Sequence, residues 1–244
     1  MDFRNTSFTG FDSCGSHLPE RLHSLLGQRE GPLRILDIGC GQGRQALSVA
    51  TVLPQAHVVG VDVSPANIGI ARALAEKSAC ADRISFEEID YHTYEEGNWD
   101  AVFSESTLHL IPDTKRLFVK IAEELAPGGI LAATVPVRCL HNALLLCVRK
   151  LYRSVDTAPV RRLACRVAGY VHPGVPPEVL QERLGYMRIL PYFLADAVFL
   201  DQLQKLGLTC QEKRPLPHVL GKPVHSLFVF RKPGGAAHAA DIAG

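Results

Sequence analysis

The stretch RILDIGCGQGRQA, residues 34–46, decides the fold of this chain. It begins with a short apolar run, which predicts a buried strand, and continues into glycines at positions 39, 41 and 43 directly before a helical pattern. A strand, a glycine-rich turn and a helix in this order bring backbone N–H groups and the positive end of a helix up to a ligand. Glycine suits such a turn because a Cβ would block the approach and because the turn needs a positive φ. A purely structural turn would use the same residues, so the neighbouring positions have to decide between the two.

The alternation of strands and helices continues after this turn. Short apolar runs predict five strands between residues 33 and 137: LRILDI, AHVVGVDV, RISFEEI, WDAVFS and GGILAATVPV. Helical patterns lie between them: GRQALSVATVL, SPANIGIARALAEKSA with Ser64 as N-cap and Pro65 at the first helical position, and DTKRLFVKIAEELAPGG, which we expect to end at its glycines. Because parallel strands are joined by right-handed crossovers, the pattern predicts five βα units in an open, doubly wound α/β sheet.

The rhythm changes after residue 137, where proline and glycine separate three predicted helices over residues 138–155, 157–171 and 176–190. A helix (ADAVFLDQLQKLG) and two strands (LTCQEKRPL and HSLFVFRK) follow, and the connection between these strands is too short for a crossover helix. We therefore expect a Rossmann-like, seven-stranded, mostly parallel sheet with an antiparallel C-terminal hairpin and a helical insertion between strands 5 and 6. The predicted core is residues 1–136 and 195–233, the insertion is 137–194, and the small-residue tail 234–244 is expected to be disordered.

Composition narrows the class of protein. The chain has 244 residues, 47% of them hydrophobic and 21% charged, with a formal net charge of +1, which predicts a globular protein without a global field for nucleic acid. Its seven cysteines form no CxxC pair and no zinc-ligand spacing, so we expect reduced thiols and no metal site. The first residues, MDFRNTSFTGFDS, do not form a secretory signal, and no apolar run reaches about 18 residues. These features predict a cytoplasmic protein without a membrane span, as a monomer or homodimer.

Acidic residues follow three successive predicted strands. Asp37 ends the first strand, Asp62 ends the second and comes 19 residues after Gly43, and Asp90 follows the third. Each alone could be a helix cap or a solvated loop charge. The carboxyl ends of parallel strands share one crevice, however, and Asp62 stands about where a nucleotide-binding fold places the carboxylate that accepts both ribose hydroxyls.

The spacing of the glycines discriminates between two nucleotide cofactors. A dinucleotide fingerprint is GxGxxG, whereas here the third glycine comes one residue early and Arg44 occupies the place of the expected glycine. Asp37, two residues before the first glycine, would repel a pyrophosphate but would attract the ammonium of a methionine moiety or order the loop. These features favour S-adenosylmethionine over NAD, and an NAD-dependent oxidoreductase stays as the alternative.

These motifs carry a resemblance to a known family. ILDIGCGQG, VVGVDVSPANIGIARA, Asp90, WDAVFSESTLHLIPD and IAEELAPGGIL together resemble the class I S-adenosylmethionine-dependent methyltransferases, in particular the small-molecule branch with trans-aconitate, malonyl-acyl-carrier and quinone methyltransferases. The resemblance covers residues 30–136 by motif and 195–231 by topology. It implies S-adenosyl-L-methionine as cofactor, S-adenosyl-L-homocysteine as product and a small-molecule acceptor. A protein that binds this cofactor without transferring a methyl group would show the same site.

The resemblance also implies roles for individual residues, most of which lie at or just after strand ends. By this likeness, Asp62 binds the ribose hydroxyls, Val63 contacts the adenine face, and Asp90 binds the exocyclic amine of adenine with Tyr91 beside it. Ser104 and Glu105 would lie near the sulfonium. The residues expected around the methionine and ribose are Asp37, Gly39, Cys40, Gly41 and Gly43.

Methyl transfer from a sulfonium is an in-line displacement, so the protein mainly aligns the nucleophile and excludes water. A general base helps only when the nucleophile keeps a proton, and His109, after the fourth strand, is our first candidate, with a packing role as the alternative. Arg138 and His141, after the fifth strand, are further candidates for contacting the acceptor; they could equally be surface residues at a helix start.

The place where amide and adenine N-methyltransferases carry an NPPY-type signature reads SEST here, which argues against DNA or protein-glutamine acceptors. We expect an oxygen acceptor, a carboxylate or hydroxyl of an apolar and anionic metabolite. The alternative is C- or N-methylation of a quinone, an isoprenoid or another natural-product intermediate.

The insertion is the expected specificity element. Residues 138–166 contain seven basic side chains against one acid, Asp156. Three interpretations stay open: a lid over an acceptor with an anionic group, an amphipathic helical pair with a solvated basic face, or basic helices resting on a membrane surface or a partner. The aromatic N-terminal residues 3–11 could fold over the cofactor or fray.

Overall fold

A computed structural model describes residues 17–155, 157–171, 177, 180, 184, 189–195, 197–216 and 223–234. The expectations for the aromatic residues 3–11, for most of the third insertion helix and for the tail after residue 234 lie outside these residues.

The described chain contains one seven-stranded sheet in the order β3-β2-β1-β4-β5-β7-β6. The first five strands run parallel, and β7 pairs antiparallel with both β5 and β6. This confirms the predicted doubly wound sheet with its antiparallel C-terminal hairpin. The strands are β1 (Leu33–Ile38), β2 (Ala56–Asp62), β3 (Ile84–Glu88), β4 (Trp99–Glu105), β5 (Leu125–Pro136), β6 (Thr209–Pro215) and β7 (His225–Arg231).

Helices cover both faces of this sheet and form the insertion after β5. Ser64 caps α3 as predicted, because its hydroxyl accepts from the backbone N–H of Asn67, and Pro65 occupies the first helical position. The helices are α1 (Leu18–Leu26), α2 (Arg44–Val52), α3 (Pro65–Glu76), α4 (Thr114–Glu124), α5 (Leu140–Ser154), α6 (Ala158–Val171) and α7 (Ala197–Lys205).

The sheet order places the candidate site. Strand β1 lies between β2 and β4, so the chain leaves β1 towards one edge of the sheet and later returns to build towards the other. Ligands in such folds bind outside the carboxyl ends of the strands at this switch point. The glycine turn follows β1 directly, at that position.

Two local expectations were wrong. The fourth helix ends at Glu124 rather than at the glycines, and Leu125 already pairs with Trp99 as the start of β5. Pro127 disfavours the helical conformation at the residue before it, and Leu125 is buried against the sheet. The step from β3 to β4 also lacks an α-helix: a single 3₁₀ turn, Tyr91–Thr93, lies there.

Helix α1 was not predicted. It places Leu18, Leu22 and Leu26 in the core and packs against α2. Within the described chain, no helix is long and apolar enough to cross a membrane.

Candidate active site

The three glycines of the turn all have positive φ, at 74° for Gly39, 53° for Gly41 and 75° for Gly43, but their surroundings differ. A Cβ on Gly39 would lie 2.1 Å from Cγ2 of Thr107, and one on Gly43 would lie 2.4 Å from Cζ of Phe86. A Cβ on Gly41 would meet no atom within 4 Å. Two glycines therefore allow close packing under the turn, while Gly41 faces open space, as a ligand cradle requires.

Asp62, at the end of β2, is tied to the turn. Its Oδ2 accepts from the backbone N–H of Gly41 at 2.9 Å, and its Oδ1 accepts from the N–H of Ser64 at 2.8 Å. Burial raises the pKa of Asp62, and hydrogen bonds from the backbone N–H groups of Ser64, Gly41 and Val63 and from the side chain of Asn67 oppose the rise.

Asp37 lies below the turn with 2% of its surface exposed. Its Oδ2 has no hydrogen-bond partner within the described chain. Burial, followed by the nearby charges of Glu105 and Asp62, raises the pKa of Asp37 well above its ordinary value. Gln42 in the same turn also buries an amide nitrogen, Nε2, that has no partner among the described residues. An unpaired acceptor and an unpaired donor, both buried here, indicate a missing polar ligand.

Residues at the end of β4 complete this edge. The hydroxyl of Ser104 is fully buried and donates to the carbonyl of Ile38 at 2.8 Å, which holds β4 against the end of β1. Glu105 Oε2 accepts from Nε2 of Gln45 at 2.6 Å and lies close enough to raise the pKa of Asp37. The structure thus brings three predicted carboxylates, on β1, β2 and β4, to one edge, where they favour a cation.

The residues predicted to lie near the adenine differ in burial and in their hydrogen-bond partners. Asp90 is exposed, and its Oδ1 accepts from the N–H of His92. Val63 is half-buried between Asp62 and the N-cap of α3. Tyr91 is buried in the core under α4, and its hydroxyl donates to Glu124 Oε2 at 2.8 Å. The structure therefore engages the Tyr91 side chain with α4 and not with the turn.

Cys40 lies inside the turn and is buried. Its backbone N–H donates to the carbonyl of Val61 at 3.1 Å, which joins the turn to β2. Burial, with the charges of Asp37 and Asp62, raises the pKa of the thiol well above its ordinary value. A raised pKa disfavours the thiolate, which is the form in which a cysteine acts as a nucleophile.

His109 follows β4 in the 3₁₀ turn Leu108–Leu110 and is only 3% exposed. Burial, followed by the charges of His225 and Arg149, lowers the pKa of His109 to about 3. Its Nδ1 has no hydrogen-bond partner within the described chain, while its backbone carbonyl accepts from the N–H of Tyr192 at 2.7 Å. His109 is therefore a neutral, buried imidazole with one unused ring nitrogen.

Arg138 and His141 are both exposed, on either side of Cys139, the N-cap residue of α5. The structure places them at the start of the insertion, next to the end of β5. Their roles towards an acceptor stay predictions.

Several polar residues of the site were missed by sequence reasoning. Gln42 and Gln45 lie in the same stretch as the glycines and could have been noted as polar positions opening a helix. Thr107, whose side chain fills the space beside Gly39, and Ser106, with a positive φ of 55°, carry no such local signal. A non-glycine residue with positive φ is typical of functional sites, but only coordinates reveal it.

Comparison with known proteins identifies the family of the chain. The model of the family "Methyltransferase domain" matches residues 30–166, more than half of the chain. Trans-aconitate 2-methyltransferase of Deinococcus radiodurans is 32% identical over 136 residues, which cover 50% of this chain and 50% of that protein. The 27-O-demethylrifamycin SV methyltransferase of Amycolatopsis mediterranei is 35% identical over 123 residues, covering 50% of this chain and 44% of that protein. The chain thus spans about half the length of these curated relatives.

Solved structures share the fold at low sequence identity. The [4+2]-cyclase SpnF superimposes with a TM-score of 0.60 at 18% identity, over 94% of this chain and 87% of that chain. The 1,6-didemethyltoxoflavin-N1-methyltransferase of Burkholderia thailandensis, with bound S-adenosylhomocysteine, gives a TM-score of 0.58 at 17% identity, over 90% of this chain and 78% of that chain. The strand order, the glycine turn with its three carboxylates and the family match lead to one assignment: the chain belongs to the class I S-adenosylmethionine-dependent methyltransferases.

Proposed function

We propose that this protein transfers a methyl group from S-adenosylmethionine to an oxygen of a small, anionic acceptor. The observation that carries the proposal is Asp37, a carboxylate buried beneath an open glycine turn with one oxygen left unpaired. Such a group destabilises the ligand-free fold unless a cation binds against it.

The residues present fit this cofactor. Asp37 would accept from its ammonium, and the buried amide of Gln42 offers a donor in the same turn for its carboxylate. Asp62, already held by two backbone N–H groups, would accept from both ribose hydroxyls. Gly41 leaves the space that the ligand needs, and Asp90 is the proposed acceptor for the adenine amine.

When bound, S-adenosylmethionine supplies an electrophilic methyl group on a positively charged sulfur. The charges of Glu105 and Asp62 beside Asp37 favour binding of this cation, and the bound cation would in turn favour the ionised form of Asp37. The main work of the chain is then to orient the acceptor and to exclude water.

The protonation state of His109 favours one chemical class of acceptor over another. A neutral imidazole with a pKa of about 3 is a weak base, and it would take a proton from an alcohol poorly. A carboxylate has already lost its proton at neutral pH and needs no base. Arg149, close enough to lower the pKa of His109, supplies a positive charge for an anionic acceptor. We therefore propose a carboxylate acceptor, with His109 positioned to contact it and with the insertion, residues 137–194, forming the acceptor side.

A second candidate is a protein that binds S-adenosylmethionine without methylating anything. The cyclase SpnF, which shares the fold over 94% of this chain, is named for a reaction other than methyl transfer, so the fold alone does not imply methylation. The cofactor site would look the same in both cases, so only turnover separates them.

Ligand-dependent thermal unfolding tests the cofactor assignment. We expect the melting temperature to rise with S-adenosylmethionine or S-adenosylhomocysteine and to stay unchanged with NAD, because only a ligand of the folded state stabilises it. Asp62→Ala should remove the rise, while Asp82→Ala, which alters an exposed carboxylate in the turn before β3, should keep it. A rise with NAD alone would overturn the assignment.

Turnover is then tested with a methyl-labelled cofactor, a panel of carboxylic acids and alcohols, and mass spectrometry for a gain of about 14 Da per methyl group. Label on a carboxylate supports the proposal. Label only on alcohols contradicts the carboxylate, and cofactor binding without any label favours the second candidate.

A further inference from the structure

The helix α5 exposes an apolar face. Five large apolar side chains are between 47% and 77% exposed: Leu140, Leu144, Val148 and Leu151 on the helix and Val155 directly after it. At about 100° per residue these positions fall within an arc of about 80° on one side of the helix. They form a continuous apolar stripe directed away from the protein.

The opposite face of α5 is directed inward and combines polar groups with the buried ring of Tyr152. The amide Nδ2 of Asn142 is buried and donates to the carbonyls of Val137 and Val224, both at 2.7 Å. Nη1 of Arg149 donates to the carbonyl of Ile189 at 3.1 Å. A surface helix ordinarily buries its apolar stripe, whereas α5 leaves this one exposed.

Helix α6 repeats the pattern with Leu163, Val167 and Tyr170, which are between 54% and 91% exposed. Exposed cations flank both stripes: Lys150 on α5, and Arg162 and Arg166 on α6. Neither helix contains an aspartate or a glutamate. We call the two apolar stripes together with these three cations the insertion face.

We propose that the insertion face docks on the surface of an anionic lipid bilayer. Exposed leucine, valine and tyrosine side chains would enter the boundary between headgroups and acyl chains, and the flanking lysine and arginines would contact lipid phosphates. Helices that lie in a membrane interface combine these two features, a large apolar side and a cationic polar side.

Charge decides against a second copy of this chain as the occupant. Two copies meeting through this face would bring six exposed cations together, three from each copy, with no acid from α5 or α6 to offset them. An anionic bilayer offers both an apolar interior and compensating phosphates.

Docking would also fix the position of the candidate site relative to the bilayer. Asn142 ties α5 to Val137, directly after β5, and to Val224, directly before β7, so the helix on the bilayer would hold that edge of the crevice against it. If the proposed function holds, this arrangement suits an acceptor with an apolar body that dissolves in the bilayer. The docking itself does not depend on the reaction.

Sedimentation with lipid vesicles tests the proposal. We expect the full chain to pellet with vesicles of phosphatidylcholine containing phosphatidylglycerol, and to remain in solution with phosphatidylcholine alone or at about 1 M salt. The double variant Leu144→Gln/Leu151→Gln should weaken binding on the order of a hundredfold, about tenfold per leucine. Lys150→Glu/Arg166→Glu should weaken it through charge alone.

The matched control is Val119→Gln/Leu206→Gln, which removes two exposed apolar residues elsewhere and should leave binding unchanged. The rise in melting temperature with S-adenosylhomocysteine, measured on each variant, reports folding and cofactor binding separately from docking. Equal binding of the wild type to neutral and anionic vesicles, no binding to either, or a dimer that Leu144→Gln/Leu151→Gln dissociates would each overturn the proposal.

Discussion

At the scale of the residue, the glycines of the turn serve two different purposes. Gly39 and Gly43 have no room for a Cβ, because Thr107 and Phe86 occupy that space, whereas Gly41 has no atom within 4 Å of the place where a Cβ would lie. All three positions strain any other residue through their positive φ. Of the three, only Gly41 can be substituted to test ligand binding without also disturbing the packing under the turn.

We predict that Gly41→Ala destabilises the protein by about 1 kcal/mol, because its φ of 53° disfavours a side chain, and weakens binding of S-adenosylhomocysteine at least about tenfold. Gly207→Ala is the matched control, since Gly207 also has a positive φ, 83°, and open surroundings, but lies after α7. Calorimetric titration and urea unfolding of both variants measure the two effects. Equal binding by both variants would show that the ligand does not approach Gly41.

At the scale of the element, α5 buries two side chains, Asn142 and Tyr152, while its apolar stripe stays exposed. Asn142 connects it to the residues that flank the ends of β5 and β7, and Arg149 connects it to the segment around Ile189. That segment in turn reaches the site, because the N–H of Tyr192 donates to the carbonyl of His109. The insertion is thus coupled to the candidate site through a few hydrogen bonds.

We predict that Asn142→Leu loosens α5 while the sheet stays intact. Loss of the two hydrogen bonds from its amide costs about 2 kcal/mol, which should speed amide hydrogen exchange in Leu140–Ser154 about thirtyfold. Ser154→Ala, at the exposed end of the same helix, should leave exchange in its middle turns unchanged. Uniform acceleration across the sheet strands would instead show that Asn142 supports the whole fold.

At the scale of the whole molecule, two buried titratable groups act on stability in opposite directions. His109 has a pKa of about 3 in the fold and about 6.5 when unfolded, so the unfolded chain takes up its proton first and stability falls as the pH drops below about 6.5. Asp37 has a raised pKa in the fold, so the fold keeps a proton that the unfolded chain releases. The contribution of Asp37 to stability is therefore lost as the pH rises above about 3.9.

We predict that His109→Leu flattens the acid side of the stability profile. Between about pH 6.5 and pH 4 the free energy of unfolding should fall by about 3 kcal/mol more in the wild type than in the variant. The reason is that each of these roughly 2.5 pH units costs about 1.36 kcal/mol when the unfolded chain binds a proton at His109 and the fold does not. Urea unfolding at several pH values measures this difference, and His92→Leu, which alters a half-buried histidine, is the control. Parallel profiles for the wild type and His109→Leu would contradict a buried neutral imidazole.

The sequence by itself determined the strands, the antiparallel hairpin and the strand-end acids, because each depends on local periodicity or on a rule of chain connection. The boundary at Glu124 and Leu125 needed the tertiary structure, since pairing with Trp99 outweighs the local helical pattern there. The same holds for Tyr91, whose place under α4 follows from its hydrogen bond to Glu124, 33 residues away in sequence.

The electrostatic state of the site was also decided only by the tertiary structure. The sequence shows Asp37 and His109 as residue types, but their shifted pKa values arise from burial and from charges on other elements: Glu105 and Asp62 for Asp37, and His225 and Arg149 for His109. The direction of the apolar stripe on α5 is likewise invisible to periodicity, which indicates that a helix has an apolar side but not which side the rest of the chain covers. Secondary structure follows largely from neighbouring residues, whereas burial and shifted pKa values depend on residues that only folding brings together.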